Sequence, residues 1–500
     1  MGLIFIRNRE KLPYEEVICS MNYKMVINTI GQVVLLEAGM LVLPLLVSFY
    51  YHDGTAGAYF TAIAVALVLG CAMTVLCRTK KRDIFAREGF TIVSVSWLLL
   101  SAIGALPFVL SGEIPSYVDA FFETVSGFTT TGASILTNVE AMSRSNLFWR
   151  SFTHWVGGMG VLVLVTMIAS KMPDRSMNIL RAEMPGPIVG KLVPRAKDTS
   201  RILYLIYLGI TAIVIIFLLA GGMPLFDSVV HAFGTAGTGG FGIKADSVAG
   251  YSPYLQWVIT FGMLAFGINF NIFFLLILRR FGEAFRSTEL WTYLGIVGAS
   301  VIAITCNIAS MYASVGESLR HAAFQVSSIV TTTGYATTDF NLWPSFSKAI
   351  LFLLMFMGAC AGSTGGGLKV SRVVILGQMI WHEIRHMVHP RAVSVVRYEG
   401  KVVTKETQHG TAAYFALYSL CIIAPFLLIS LEPFSFETNF SAVVACFNNI
   451  GPGFDMVGPT GSFAAYSDFS KIVLSLAMLL GRLEIFPLLL TFIPAAWYRK

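Results

Sequence analysis

Thr129-Thr130-Thr131-Gly132, wedged between two long apolar segments, decides how this chain is read, because the pattern recurs three times. It returns as Gly237-Thr238-Gly239-Gly240, as Thr331-Thr332-Thr333-Gly334 and as Asn448-Asn449-Ile450-Gly451. Each interval between Gly132, Gly239, Gly334 and Gly451 holds the same parts, which is the mark of internal repetition. From Phe90 onward the unit is a long apolar helix, a short semi-apolar segment, the glycine stretch and a second apolar helix. The short segments, 117–129, 226–236, 319–330 and 436–447, fall below the ~20 residues that span a bilayer, so they are read as re-entrant. Non-helical backbone at membrane depth must be buried in protein or line a wet cavity, because unpaired N–H and C=O groups are costly in hydrocarbon. Four such loops can therefore converge on one axis.

Composition places the chain in the membrane. Of 500 residues 55% are hydrophobic and only 13% charged, with 38 Phe and a mean hydropathy of +0.71, which excludes an ordinary soluble domain. Ten apolar spans are expected at 30–51, 56–77, 90–110, 148–170, 202–222, 255–278, 290–313, 346–381, 412–431 and 472–497, the eighth interrupted at 358–367. The predicted fold class is an all-α polytopic membrane protein. Four helix, pore-loop, helix repeats surround a pseudo-fourfold pore, with two extra N-terminal helices outside them. The corresponding boundaries are 1–88 for the extra helices and 89–170, 171–280, 281–400 and 401–500 for the repeats. The first span follows Arg7, Arg9, Lys11 and Lys24 without a small-residue cleavage pattern, so it reads as a retained helix. The seven cysteines are scattered with no C-x-x-C, which argues against disulfides and zinc.

With both termini on one side, ten spans put most of the 35 Lys and Arg on that side, which is then cytoplasmic. The densest basic blocks are 78–87, 171–201 and 369–405; they fix topology and offer a surface for a cytoplasmic partner. On the outer side acids outnumber bases, and Glu140, Asp246, Asp339 and Asp455 follow the glycine stretches closely. They read either as a field that favours cations at the mouth or as solvated loop carboxylates.

Glycine takes φ > 0 without steric cost, which lets successive carbonyls turn toward one axis. Rings of carbonyls replace the hydration shell of a large alkali cation, and the C-terminal ends of the short helices add negative dipole ends. The candidate ion-binding residues are Thr130, Thr131, Gly132, Gly237, Thr238, Gly239, Thr332, Thr333, Gly334, Asn449, Ile450 and Gly451. Gly and Thr also let transmembrane helices pack closely, but four copies in register favour the filter reading.

Two features lie beyond the filter. The stretch Gly358-Ala359-Cys360-Ala361-Gly362-Ser363-Thr364-Gly365-Gly366-Gly367 suits no regular helix, and Lys369 is one residue out of register for a phosphate-binding loop. It is a packing kink or a mobile obstruction. Arg482 is placed near mid-helix in the last span, where a charge marks a functional site or a structural ion pair; Glu484, two residues on, points elsewhere on the helix. Glu37 is expected to make an interhelical hydrogen bond. His154-Trp155 with Gly157, Gly158 and Gly160 is read as close helix packing, and His382, His386 and His389 as a solvated helix face.

The chain resembles the Trk, Ktr and HKT superfamily of cation transporters, and most closely the TrkH-like subunits of bacterial potassium uptake systems. The likeness is carried by Gly127-Phe128-Thr129-Thr130-Thr131-Gly132, Thr238-Gly239-Gly240-Phe241-Gly242, Thr331-Thr332-Thr333-Gly334-Tyr335 and Asn448-Asn449-Ile450-Gly451-Pro452-Gly453, with the Gly-rich break and Arg482. It implies potassium uptake across the bacterial inner membrane with both termini cytoplasmic, K+ as the transported ion, no organic cofactor and no enzymatic activity. It implies a homodimer with one pore per subunit, embedded in the lipid bilayer, and a cytosolic nucleotide-binding regulatory subunit of TrkA type; no nucleic acid is involved. It also implies that Gly362, Gly365, Gly366, Gly367 and Arg482 form the gate. Sodium-preferring members carry serine at the first filter glycine, and Gly132 here points to potassium. Ile450 departs from the T-x-G form, which loosens the equivalence of the four sites. The competing classes are a sodium channel of the same fold, a secondary transporter of a small solute, which would show two inverted halves, and a membrane-embedded enzyme, for which the spans offer almost no catalytic pair.

Overall fold

The computed structural model describes residues 22–79, 86–160, 196–391, 395–483 and 485–492. The chain opens with α1 (Tyr23–Met40), α2 (Val42–Tyr51) and α3 (Ala56–Leu76). A first group follows, α4 (Ala86–Gly104), α5 (Leu106–Leu110), α6 (Tyr117–Phe128) and α7 (Arg144–Met159), then a second, α8 (Ala196–Ala220), α9 (Leu225–Gly237), α10 (Pro253–Phe266) and α11 (Phe270–Ile277). The short α12 (Phe281–Ala284) leads to α13 (Thr288–Ile308), α14 (Val315–Val330), α15 (Ser345–Met355) and α16 (Val370–Val388). A hairpin of β1 (Arg397–Tyr398) and β2 (Lys401–Val402) precedes α17 (Lys405–Ile429), α18 (Phe436–Phe447), α19 (Asp468–Arg482) and α20 (Phe486–Phe492).

Serines start many of these helices. The side chains of Ser116, Ser143, Ser252, Ser287, Ser314, Ser435 and Ser467 each accept from the amide three residues on, satisfying one of the orphan N–H groups of a helix start. The short helices α6, α14 and α18 bury their C-terminal halves all round: Phe122 to Phe128, His321 to Val330 and Ser441 to Phe447 are continuously buried. A helix buried on every side lies inside the molecule. On α3, by contrast, Val68, Val75 and Leu76 are 72–80% exposed, as suits a lipid-facing surface.

Among the described residues six helices are long and apolar enough to cross a membrane: Tyr23–Tyr51, Ala56–Leu76, Glu88–Leu110, Arg201–Ala220, Thr288–Met311 and Lys405–Ile429. The chain is thus a multi-pass membrane protein, but the ten expected spans are not ten continuous helices. The span expected at 255–278 bends by 93° between α10 and α11, because Gly267 ends one helix and the Asn269 side chain caps the next. The third group breaks between Met355 and Val370, the fourth between Arg482 and Phe486. The part of the fourth expected span beyond residue 160, most of the basic block 171–201 and Glu484 lie outside the described residues. Glu37 also departs from expectation. It is fully buried between α1 and α4, and neither carboxylate oxygen has a hydrogen-bond partner among the described residues.

Candidate functional site

The ends of α6, α9, α14 and α18 share one backbone device. Thr130, Thr238, Thr332 and Asn449 take left-handed φ of 54 to 58°, and their amides donate three residues back, to Gly127, Thr235, Ile329 and Cys446. The next amides, of Thr131, Gly239, Thr333 and Ile450, donate five residues back, to Ser126, Gly234, Ser328 and Ala445. These are Schellman ends, in which glycine normally occupies the left-handed position. Here three of the four are β-branched, a strained choice of the kind held at functional sites, costing about 1–3 kcal/mol each.

The same bonds set the register, and they correct it in the second loop. Two residues after each left-handed Thr or Asn comes a positive-φ glycine: Gly132, Gly240, Gly334 and Gly451. Gly240, not Gly239, is therefore the counterpart of Gly132; Gly239 matches Thr131. Loop 2 offers two adjacent glycines after its threonine, and only the backbone angles separate them.

The four glycines interlock in a closed ring. A Cβ built on Gly132 would overlap the carbonyl oxygen of Gly239, one on Gly240 that of Thr333, and one on Gly334 that of Ile450. A Cβ on Gly451 would lie 2.8 Å from the Thr131 oxygen, back in the first loop. Each loop presses its glycine on the next loop's carbonyl, so no side chain fits at any of the four positions. The Oγ1 of Thr130 is buried with no hydrogen-bond partner among the described residues.

An open cavity lies on the side where the chains leave the ring, lined by Gly132, Gly240, Gly334 and Gly451. The charged residues in its lining are Arg150 and Lys244. Three of the four acids expected at this mouth are engaged elsewhere: Glu140 accepts from the Ala245 amide, Asp339 from that of Asn341, and Asp455 from the hydroxyls of Ser435 and Thr438 at 2.7 and 2.6 Å. Those hydroxyls hold the Asp455 carboxyl below the usual carboxylate range. Loop capping, rather than a lining of carboxylates, explains these acids.

On the opposite side the segment between α15 and α16 closes over the ring. A Cβ on Gly365 would lie 3.0 Å from the Thr331 oxygen and one on Gly366 2.6 Å from that of Asn448. The Gly366 amide donates to Thr332 Oγ1 at 2.7 Å. The segment is anchored at both ends. Ala361 and Ser371 amides donate to the buried Glu289 carboxylate at 2.7 and 3.1 Å, while Cys360 and Phe270 amides pair with Gly267 and Gly362 carbonyls across the bend of the second group. Gly362 and Gly367 have positive φ. Lys369, assigned by sequence to a cytoplasmic basic block, is instead 1% exposed, with its ammonium on the carbonyls of Gly365 and Gly366.

Arg482 is not mid-helix; it is the last residue of α19. Its guanidinium donates to Thr364 O at 2.8 Å and to the carbonyls of Gly157 and Gly158. Those two carbonyls belong to the last turn of α7, where the Gly160 amide donates to Gly157 O at 3.1 Å and the negative end of the helix dipole favours a cation. One side chain of the fourth group thus joins the first group to the third beneath the ring.

Two supports have partners that the sequence reading did not assign. Glu123 and Arg150 form a buried pair, Nε to Oε1 2.8 Å, with side chains 0% and 2% exposed. Glu123 also accepts from Ser134 and the Ile135 amide, while Arg150 reaches Gly242 O and lies 4.0 Å from the Phe241 ring centre, tying loops 1 and 2 together. His154 packs against loop 2. A charge of each sign on two apolar segments was the available signal for the first; the second lies in the stretch read as close helix packing, without a sign of which loop it meets.

Comparison with known proteins follows the same lines. The family model TrkH, described as a cation transport protein, matches residues 56–295 and 287–499. The chain is 36% identical to the Trk system potassium uptake protein TrkH of Salmonella typhimurium, over 95% of this chain and all of that one. It is 35% identical to the TrkH of Escherichia coli K12 over the same shares. The crystal structure of the potassium transporter TrkH from Vibrio parahaemolyticus superposes with a TM-score of 0.86 at 31% identity, covering 96% of this chain and all of that one.

Proposed function

Because the chain belongs to the TrkH family of cation transport proteins, we propose that it carries potassium into the cell through the ring of four loops. The observation that carries this reading is the closed cycle of glycine on carbonyl. Four positions where no side chain fits leave an opening walled by backbone oxygens, and stacked carbonyls can replace the water shell of K+. The unpartnered Thr130 hydroxyl adds an oxygen at the inner end. The four short helices point the negative ends of their dipoles at the same place, and a membrane potential supplies ~2.3 kcal/mol per charge per 100 mV for inward movement.

In this reading the Gly358 to Gly367 segment and Arg482 are the gate. The segment sits against the inner carbonyls of loops 3 and 4, and a fixed positive charge behind it repels a waiting cation. Opening requires the segment to leave Thr332 and Arg482 together. We further propose an inner-membrane homodimer with cytoplasmic termini, one pathway per subunit, and a cytosolic nucleotide-binding regulatory subunit on the basic face.

Rb+ uptake into proteoliposomes holding the purified chain tests the reading. Excess K+ is expected to block uptake far more than Na+. Equal block by the two ions would sink the potassium assignment in favour of a sodium-permeable channel, and no flux under an imposed potential would return the solute-transporter alternative.

A further inference from the structure

We propose that His154 is a positioning residue for ion selection, its imidazole filling the place of the side chain that loop 2 lacks. The inference rests on the filter reading above. Loops 1 and 3 brace themselves with hydroxyl pairs, Thr129 to Thr131 and Thr331 to Thr333, each at 2.8 Å. The equivalent positions in loop 2, fixed by the amide bonds that close the helix ends, are Gly237 and Gly239, which have no side chain to pair.

That volume is occupied from α7. A Cβ built on Gly239 would fall 2.5 Å from the His154 Cε1 and nearer still to Nδ1 and Cγ, and one on Gly237 would overlap the His154 backbone carbonyl. The ring is fully buried and stacks on Phe241 with centroids 4.1 Å apart, at 18°. The Phe241 amide donates to Nδ1 at 3.5 Å. His154 therefore holds loop 2 before and after the Gly239-Gly240 pair. Gly239 does not have positive φ, so its backbone would accept a threonine, and the three atoms nearest its Cβ all belong to the imidazole.

The consequence concerns one carbonyl of the ring. The Gly239 oxygen is the one on which Gly132 presses, and it sits in the most flexible dipeptide of the four loops. Two glycines in succession have the greatest backbone freedom of any pair. With the imidazole withdrawn, that carbonyl can shift inward, and a ring that collapses accepts the smaller Na+.

The test compares His154→Ala, Gly239→Thr and the double variant by Rb+ uptake in proteoliposomes, with K+ and Na+ as competitors. His154→Ala is expected to lower the K+ over Na+ ratio by about tenfold while flux persists. Gly239→Thr alone is expected to lose flux, and the double variant to regain both flux and preference, since the threonine then occupies the vacated space. His154→Gln, which keeps an acceptor and most of the volume, is expected to retain the preference. An unchanged ratio in His154→Ala, or a Gly239→Thr protein that conducts normally with His154 present, would overturn the proposal. If His154→Ala does not reach the membrane, recovery in the double variant supports the proposal and failure of both overturns it. A parent protein in which Na+ competes as well as K+ removes the filter reading itself; a selective parent with uncoupled variants removes only the role of His154.

Discussion

At the residue scale the ring glycines make the sharpest predictions. Gly240→Ala adds a left-handed alanine, at about 1–2 kcal/mol, and drives its Cβ into the Thr333 carbonyl. Loss of K+-selective Rb+ uptake is expected. Gly242→Ala, whose Cβ would have nothing nearer than 3.8 Å, is expected to conduct like the parent. If Gly240→Ala conducted normally, the register would be wrong. These residues also show how far the sequence could be read. Thr130, Thr332 and Gly334 lie in motifs that announce themselves, but Thr238-Gly239-Gly240 fits T-x-G in spirit at two registers, and the choice depends on φ, which no composition reveals. The Glu123 and Arg150 pair predicts a second outcome. Glu123→Gln strands a buried guanidinium, so a loss of about 3–5 kcal/mol is expected in thermal unfolding, with much of it recovered when Arg150→Met is added. A third concerns Asp53, in the turn before α3. Burial would raise its carboxyl, but hydrogen bonds from Ser48, Ser145 and Thr55 outweigh that and hold it at about 2. A lowered carboxyl contributes stability above its unfolded value of about 3.9, and the contribution fades as pH falls from there through the folded value. The thermal midpoint is expected to drop over that window, and Asp53→Asn to flatten the drop.

At the scale of elements the second helix of the second and fourth groups is where sequence and structure part. The bend at Gly267 and Asn269 is hidden because the residues on both sides are apolar, so hydropathy reads one span where the backbone makes two. The break after Met355 was legible, since its glycines suit no helix. The break after Arg482 was not: a lone arginine in an apolar run looks like a buried charge within a helix, and only the positions of the Gly157 and Gly158 carbonyls reveal it as a cap on another helix's end. Removing part of 362–367 is expected to raise Rb+ flux, as is Arg482→Ala, because each releases the segment from Thr332 or from α7. An unchanged rate in both would leave the segment as packing alone. Glu289→Gln weakens acceptance from Ala361 and Ser371 together, so it is expected to shift the same rate without altering the K+ over Na+ ratio.

At the scale of the whole molecule the first and fourth groups are joined outside the ring as well as in it. Lys471 at the start of α19 meets Asp119 at the start of α6 at 2.5 Å. Asp119→Lys is expected to lower the thermal midpoint, and Asp119→Lys with Lys471→Asp to restore part of it; no recovery would show that the contact does not seal this boundary. The ring itself carries a consequence for how the protein is made. Chains fold from the N-terminus as they are synthesised, and the contacts of Gly132 with loop 2 and of Gly240 with loop 3 can form while later segments are still to come. Those of Gly334 with Ile450 and of Gly451 with Thr131 both wait for the last loop. Half of the ring's seams thus appear in one late step, and a nascent chain halted short of that loop is an open arc that encloses no ion.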